Sequence, residues 1–391
     1  MKPLNDVTVV ELSTMITASL ASMMMAEQGA RVIKIEPTEA GDPLRYIGTA
    51  KGGISGIFAN CNRGKQSVRI DLKTEEGQGL VEQLVQKADV LIHNFRPGVM
   101  DKLNLGSERL RGLNPRLIYM AISGFGNQGP MSSAPAYDPV IQAHSGMAAS
   151  QGQNEPVFIH NLMCDKITAY TACQAITSAL YQRERTGDGQ HIDLSMLDSS
   201  MYFMFPDAYM NHTLLDDDVS PQPLLADLAF QTTITKDGGI TVSAATQKHF
   251  EGVAKALGRE DLADDMRFNS LENLAANFEA YEEILRSNFA ALSSDEAVER
   301  LRANDVPCAK CLSLEEALAQ PQVEANRSLE LQAHPAMGQI RSLRNPPRFG
   351  GELTPIPSAS PGHGEHTDIV LESLGFNDAQ REALRQNKVV A

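Results

Sequence analysis

The chain has 391 residues, with 34 Lys and Arg against 49 Asp and Glu, for a formal charge of −15. This length accommodates two or three domains and a sizeable core. The acidic balance excludes a generic nucleic-acid binder, which carries a basic face, and the absence of any apolar run of about 18 residues excludes a membrane-spanning helix.

The predicted elements alternate from the start. Val7 to Leu12 is a short apolar run suited to a buried strand, and residues 17–28, rich in Ala, Met and Leu, form a helix stopped by Gly29. Arg31 to Ile35 alternates as a strand. Residues 74–87 are helical, with Thr74 as N-cap and Leu80, Leu84 and Val85 on one face. Asp89 to Ile92 and Leu117 to Ile122 are strands. Helices alternating with strands imply parallel βαβ units. A long helix is expected after Asp165, stopped at Gly187-Asp188-Gly189, with a strand returning from His191 to Leu194. Residues 205–228, with three successive Asp and a Pro-Gln-Pro, have linker composition. A second unit follows, with a strand at 240–244 and helices at 247–257, 278–291 and 294–303. The Pro- and Gly-rich stretch 338–362 reads as an excursion over a surface, and a short helix at 365–374 ends the ordered chain.

Charge is distributed unevenly. Residues 31–116 hold 14 basic and 10 acidic side chains, whereas 205–330 hold 10 and 23. The early segment is therefore the part of the chain suited to face an anion, unless its excess is chance surface variation.

Several chemistries are excluded by what is missing. A dinucleotide site needs Gly-x-Gly-x-x-Gly after the first strand; this chain has Ser13 to Ala18 there, reading STMITA. No Walker loop is present. The five cysteines are odd in number and scattered, as expected of reduced thiols in a cytoplasmic protein, and the start of the chain lacks a signal-like apolar stretch. Cys308 and Cys311 form a lone CxxC without the second ligand pair of a zinc site, so no metal is expected. His144 and His160 stand alone and read as structural. Asp165 has two readings: a helix N-cap, or a carboxylate nucleophile able to attack an activated acyl carbon.

An ordered set of segments goes further. ARVIKIEP at Ala30–Pro37, Gly41-Asp42 with Arg45, NRGK at Asn62–Lys65 and IDLKT at Ile70–Thr74 lead into ADVLIHNFRPG at Ala88–Gly98. NPRLIY at Asn114–Tyr119, SGFG at Ser123–Gly126, RTGDGQ at Arg185–Gln190 and GEHT at Gly364–Thr367 follow. Together they resemble the family III CoA-transferases, which include formyl-CoA transferase, carnitine CoA-transferase and the α-methylacyl-CoA racemases. The resemblance implies an α/β fold with a Rossmann-like large domain (1–204, completed by a return segment 331–391), a linker at 205–228 and a smaller α+β domain at 229–330. It further implies an open-ring monomer interlocked with a second copy as a homodimer.

It implies acyl-CoA and a carboxylic acid as substrates, with no tightly bound cofactor. The family's nucleophile falls on Asp165, and its CoA contacts fall on Ile70, Asp71, Leu72, Lys73, Asn94, Phe95, Arg96, Lys102, Pro135, Ala136, Tyr137 and Asp138. Each contact keeps a plainer alternative, Arg96 as a loop solubiliser and Phe95 as a core residue among them. Pro37 stands where formyl-CoA transferase carries an Arg near adenine. The family's racemases place a His where this chain has Tyr137. Racemisation needs an acid and a base with proton affinities near working pH, which a tyrosine of reference pKa about 10 does not supply. The resemblance therefore favours a transferase that passes through anhydride and aspartyl-CoA thioester intermediates. A racemase-like isomerase and a non-catalytic acyl-CoA-binding homologue are the alternatives.

Overall fold

The computed structural model describes residues 2–152, 154–224, 226 and 230–391. The chain divides into two compact units, Met1–Pro206 joined with Arg327–Ala391, and Asp207–Asn326. The stretch expected to be a linker contains only a single 3₁₀ turn, Met210–His212, between residues 205 and 224; its residues 225, 227 and 228 lie outside the described residues.

The first unit is built on the βαβ alternation. β1 (Thr8–Leu12) is followed by helix α1 (Thr17–Glu27) and β2 (Arg31–Glu36). A small hairpin, β3 (Ala50–Lys51) and β4 (Ile54–Ser55), precedes α2 (Gly56–Asn62) and β5 (Lys65–Arg69). Then come α3 (Glu75–Val85), β6 (Val90–His93), α4 (Val99–Lys102), α5 (Ser107–Leu113) and β7 (Ile118–Ser123). The short helices α6 (Asp138–His144) and α7 (Met147–Gln151) lead to the 24-residue α8 (Met163–Thr186), β8 (His191–Ser195) and α9 (Met196–Met204). Six strands form one parallel sheet in the order β5-β2-β1-β6-β7-β8. The strand order reverses between β1 and β6, and a crevice at the carboxyl ends of the strands there is where such sheets bind ligands.

Local chemistry accounts for the element ends. Thr74 caps α3 by accepting from the Gly77 N–H at 3.0 Å. Gly187 ends α8 at φ +86°, a left-handed conformation that a Cβ would strain. The apolar positions of α3, namely Leu80, Val81, Leu84 and Val85, pack with Val10, Ile33, Val68 and Leu91 of the sheet.

Buried charge runs through the sheet's centre. Glu11, Lys34 and Lys65 are fully enclosed, with Lys34 Nζ 2.8 Å from Glu11 Oε1 and 2.9 Å from Asp42 Oδ2, and Lys65 Nζ 2.8 Å from Glu11 Oε2. Ser22 donates to the same Glu11 carboxylate at 2.6 Å. Next to this group, Arg45 Nη2 pairs with Glu36 Oε1 at 2.7 Å and stacks on Phe58, 3.8 Å from its ring centre. Burial opposes ionisation of Glu11 and Glu36, yet their cations hold both below the usual carboxylate range, Glu36 at about 2. Burial, partly offset by Glu11, brings Lys65 down to about 8. Three anions face three cations, so the cluster is neutral as a whole.

Two expectations are corrected at the C-terminal end. The stretch 338–362 does not begin as a surface excursion. Gly338–Leu343 pairs antiparallel with Leu329–His334, from Leu329↔Leu343 to His334↔Gly338. The first strand does alternate, with Leu329, Leu331 and Ala333 against Glu330, Gln332 and His334, but Leu331 and Leu343 stay exposed, so the pair has no apolar face turned to a core. Nor does the helix Thr367–Ser373 end the ordered chain. Asp378–Gln386 is helical, set by a capping box between Asn377 and Gln380. Val389 and Val390 then return to the main core, Val389 O accepting from the Asp71 N–H at 2.8 Å.

The second unit has a three-stranded antiparallel sheet, with Gly239–Val242 between Thr233–Ile234 and Cys308–Lys310. The helices Gln247–Ala256, Phe278–Phe289 and Ser294–Ala303 lie at the expected places. Cys308 belongs to a strand and Cys311 is exposed. Among the described residues no group of His, Cys, Asp and Glu is arranged to hold a metal.

Candidate active site

A cleft of about 310 Å³ opens at the carboxyl ends of β1, β6 and β7. The β1–α1 turn contributes Thr14, Met15 and Thr17; the loop after β6 contributes Asn94, Phe95 and Arg96; the segment before α6 contributes Pro135, Ala136 and Tyr137. Asp165 closes the group from the first turn of α8. Of the expected contacts, these six and the expected nucleophile line one cleft.

Asp165 is not the N-cap. Leu162 holds that position, and Asp165 is the third residue of the helix. Its backbone N–H donates to Asp138 Oδ2 at 2.9 Å. Burial first, and the Asp138 charge second, raise the Asp165 carboxyl to about 7, against a smaller opposing pull from Lys166. The neighbouring Cys164 is fully buried, which pushes its thiol up to about 11.

Asp138 is itself 2% exposed and does not line the cleft. Its Oδ1 accepts from Gln142 Nε2 at 2.7 Å. Gln142 also donates to the carbonyls of Ile159 and Asn161 at 3.2 Å each, and its Oε1 accepts from the Ile159 N–H at 3.0 Å. The segment entering α8 is thereby tied to α6.

The β1–α1 wall is held by the other expected residues and by the buried charges. Asn94 Oδ1 accepts from the Thr14 N–H at 3.1 Å and its amide donates to the Thr14 carbonyl at 2.7 Å. Its side chain is thus committed to the turn. Met15 has φ +66°, and its N–H donates to Asp42 Oδ1 at 3.1 Å. Lys34 donates to the Ser13 carbonyl at 3.0 Å. On the far wall, Gly124 meets Ala136 so closely that a Cβ would lie 2.3 Å from the Ala136 methyl.

Ile70, Asp71, Leu72, Lys73 and Lys102 lie outside the lining of this cleft. The Ile70 side chain is 1% exposed in the main core, and Leu72 packs against that core. The Asp71 carboxylate accepts from the Lys73 N–H at 3.0 Å. Lys73 and Lys102 are exposed. The basic excess of 31–116 is also partly internal: Lys34, Arg45 and Lys65 are spent on buried acids, and Arg96 is the cation in the cleft wall.

Sequence reasoning missed Gln142 and the Lys34–Asp42 support of the turn. A signal for the second existed, because Glu11, Lys34 and Glu36 interrupt otherwise apolar strands. A long-range amide such as Gln142 leaves no such mark.

The profile of CoA-transferase family III matches residues 4–367. The chain is 32% identical over 388 residues to the succinate–glutarate CoA-transferase of Agrobacterium fabrum, covering 95% of this chain and 96% of that one. It is 32% identical over 340 residues to the acetyl-CoA:oxalate CoA-transferase of Acetobacter aceti, covering 84% and 85%. The crystal structure of a CAIB/BAIF family protein from Brucella suis superposes with a TM-score of 0.84 at 32% identity, over 95% of this chain and 99% of that one. The protein is a CoA-transferase of family III.

Proposed function

We propose that this enzyme moves CoA from an acyl-CoA to a free carboxylic acid, with Asp165 as the covalent nucleophile. The observation that carries the reading is Asp165 lining the same cleft as Asn94, Phe95 and Arg96. The Asp165 carboxylate attacks the donor thioester, breaking C–S and giving a mixed anhydride and CoA thiolate. The thiolate attacks the aspartyl carbonyl and releases the donor acid, leaving an aspartyl-CoA thioester. The acceptor carboxylate then attacks that thioester, and the returning thiolate takes the acceptor acyl group and frees Asp165. Every step exchanges one acyl bond for another, so no hydrolytic water or redox partner enters.

In this reading further residues take supporting roles. Arg96 is suited to the ligand's anionic groups and Phe95 to apolar parts of the coenzyme. Ile70 to Lys73 and Lys102 complete the coenzyme site in this reading, with the first unit as the CoA-binding domain. The protein acts as an interlocked homodimer in the cytoplasm, its five cysteines reduced.

The relatives act on oxalate, succinate and glutarate by name, so a panel of short mono- and dicarboxylates against acetyl-, succinyl- and formyl-CoA is the natural assay. The expected outcome is acceptor acyl-CoA formed in equal amount to donor acid. Incorporation of solvent deuterium at the α-carbon without any acceptor would instead establish the isomerase reading.

A further inference from the structure

We infer that Asp138 is a positioning residue that fixes the first turn of α8 and sets the ionisation of Asp165, and not a coenzyme contact. The inference rests on Asp165 being the nucleophile.

Both Asp138 oxygens are already engaged: Oδ1 by Gln142 at 2.7 Å, and Oδ2 by the backbone N–H of Asp165 at 2.9 Å. The residue is buried, so its carboxylate offers nothing to a ligand in the cleft. An Asp165 backbone N–H in the first turn has no partner within the helix, and Asp138 supplies one from a different element. Gln142 in turn anchors Asp138 and the Ile159–Asn161 backbone together. The result is a rigid brace from α6 to the residue that reacts.

Held at the Asp165 backbone, the Asp138 carboxylate also acts on the Asp165 carboxyl through its charge. A like charge at short range disfavours ionisation of its neighbour. The groups around Asp165 leave that effect standing. α1 brings the uncharged Thr17 and α9 the uncharged Met196 to the cleft; Arg96 lies in the wall after β6; Lys166, on α8 itself, pulls the other way. Burial and Asp138 together hold the Asp165 carboxyl near neutrality. A carboxylate of higher proton affinity is a stronger nucleophile, and it remains largely ionised just above neutral pH.

The test is the pH profile of kcat/KM for CoA transfer. In the unaltered enzyme, activity is expected to rise through an acid limb near pH 7. In D138N, which keeps the shape but removes the charge, the limb is expected to move down by roughly one pH unit, because burial still acts on Asp165. One of the two donors now faces an amide NH₂, so kcat falls roughly tenfold or more at the optimum while KM for acyl-CoA changes little. D138S, neutral and too short to reach the Asp165 N–H, is expected to show the same shifted limb with a larger loss of kcat. A purely structural role would lower Tm and kcat without moving the limb, and that outcome overturns the inference. So does a limb in the unaltered enzyme near the ordinary carboxylate range, a result independent of how the variants fold. If instead D165A retains full transfer, the nucleophile assignment fails, which the Asp138 profiles alone would not produce.

Discussion

Replacing Asp165 with alanine is expected to reduce CoA transfer by about 10⁴-fold or more, since removing a covalent nucleophile takes away the route itself. CoA binding, measured by calorimetry, should change by no more than a few-fold. The fold should survive. Asp138 accepts from the backbone of Asp165, not its side chain, so the brace from α6 remains in the variant. The helix is anchored by Cys164, Ile167 and Thr168, all buried. Nothing nearby is suited to substitute. Cys164 is buried outside the cleft with its thiol pushed up to about 11, far from a thiolate at neutral pH. Transfer at the unaltered rate in D165A would remove Asp165 from the chemistry.

The second large effect is expected on stability. Lys34→Met should lower the unfolding free energy by about 3–5 kcal/mol, because it leaves buried carboxylates without one of their cations. Lys34 holds Glu11 and Asp42 at 2.8 and 2.9 Å, and all three side chains are fully enclosed. Lys65 still pairs with Glu11, but Asp42 loses its ion partner. On that scale Tm should drop by roughly 5 °C. The site should feel the change as well. Asp42 holds the Met15 N–H and Lys34 holds the Ser13 carbonyl, so the β1–α1 wall loosens and KM for acyl-CoA rises. A scanning calorimetry midpoint within a degree of the unaltered protein would contradict this account of the cluster.

Much of the first unit was legible in the order of residues. Apolar runs and a Thr cap place β1, α1, β2 and α3 within a residue or two, because burial on both faces of a parallel sheet leaves near-continuous Val, Ile and Leu. The ordered motifs carried the family resemblance across the chain. What stayed hidden depends on distant partners. The hairpin 329–343 leaves Leu331 and Leu343 exposed and pairs through its backbone, so its alternation marks no core face. The last helix has few apolar residues; a capping box sets its start, and Leu384 against the main core with Arg381 and Arg385 on Asp368 set its place. Lys34 of β2 and Lys65 of β5 counted toward a basic segment suited to face an anion, whereas the fold sets both against Glu11, 23 residues from Lys34, inside the core. Asp138 read as a ligand contact through the family resemblance; only the fold reveals that it faces the backbone of Asp165.

The most direct measurement is to trap the intermediate on the residue itself. The enzyme is incubated with acyl-CoA and hydroxylamine, digested, and the peptide spanning Asp165 is weighed by mass spectrometry. The account predicts an aspartyl hydroxamate on Asp165, appearing only with acyl-CoA and absent from D165A. Unmodified Asp165 peptide, recovered under conditions of active turnover, would contradict it.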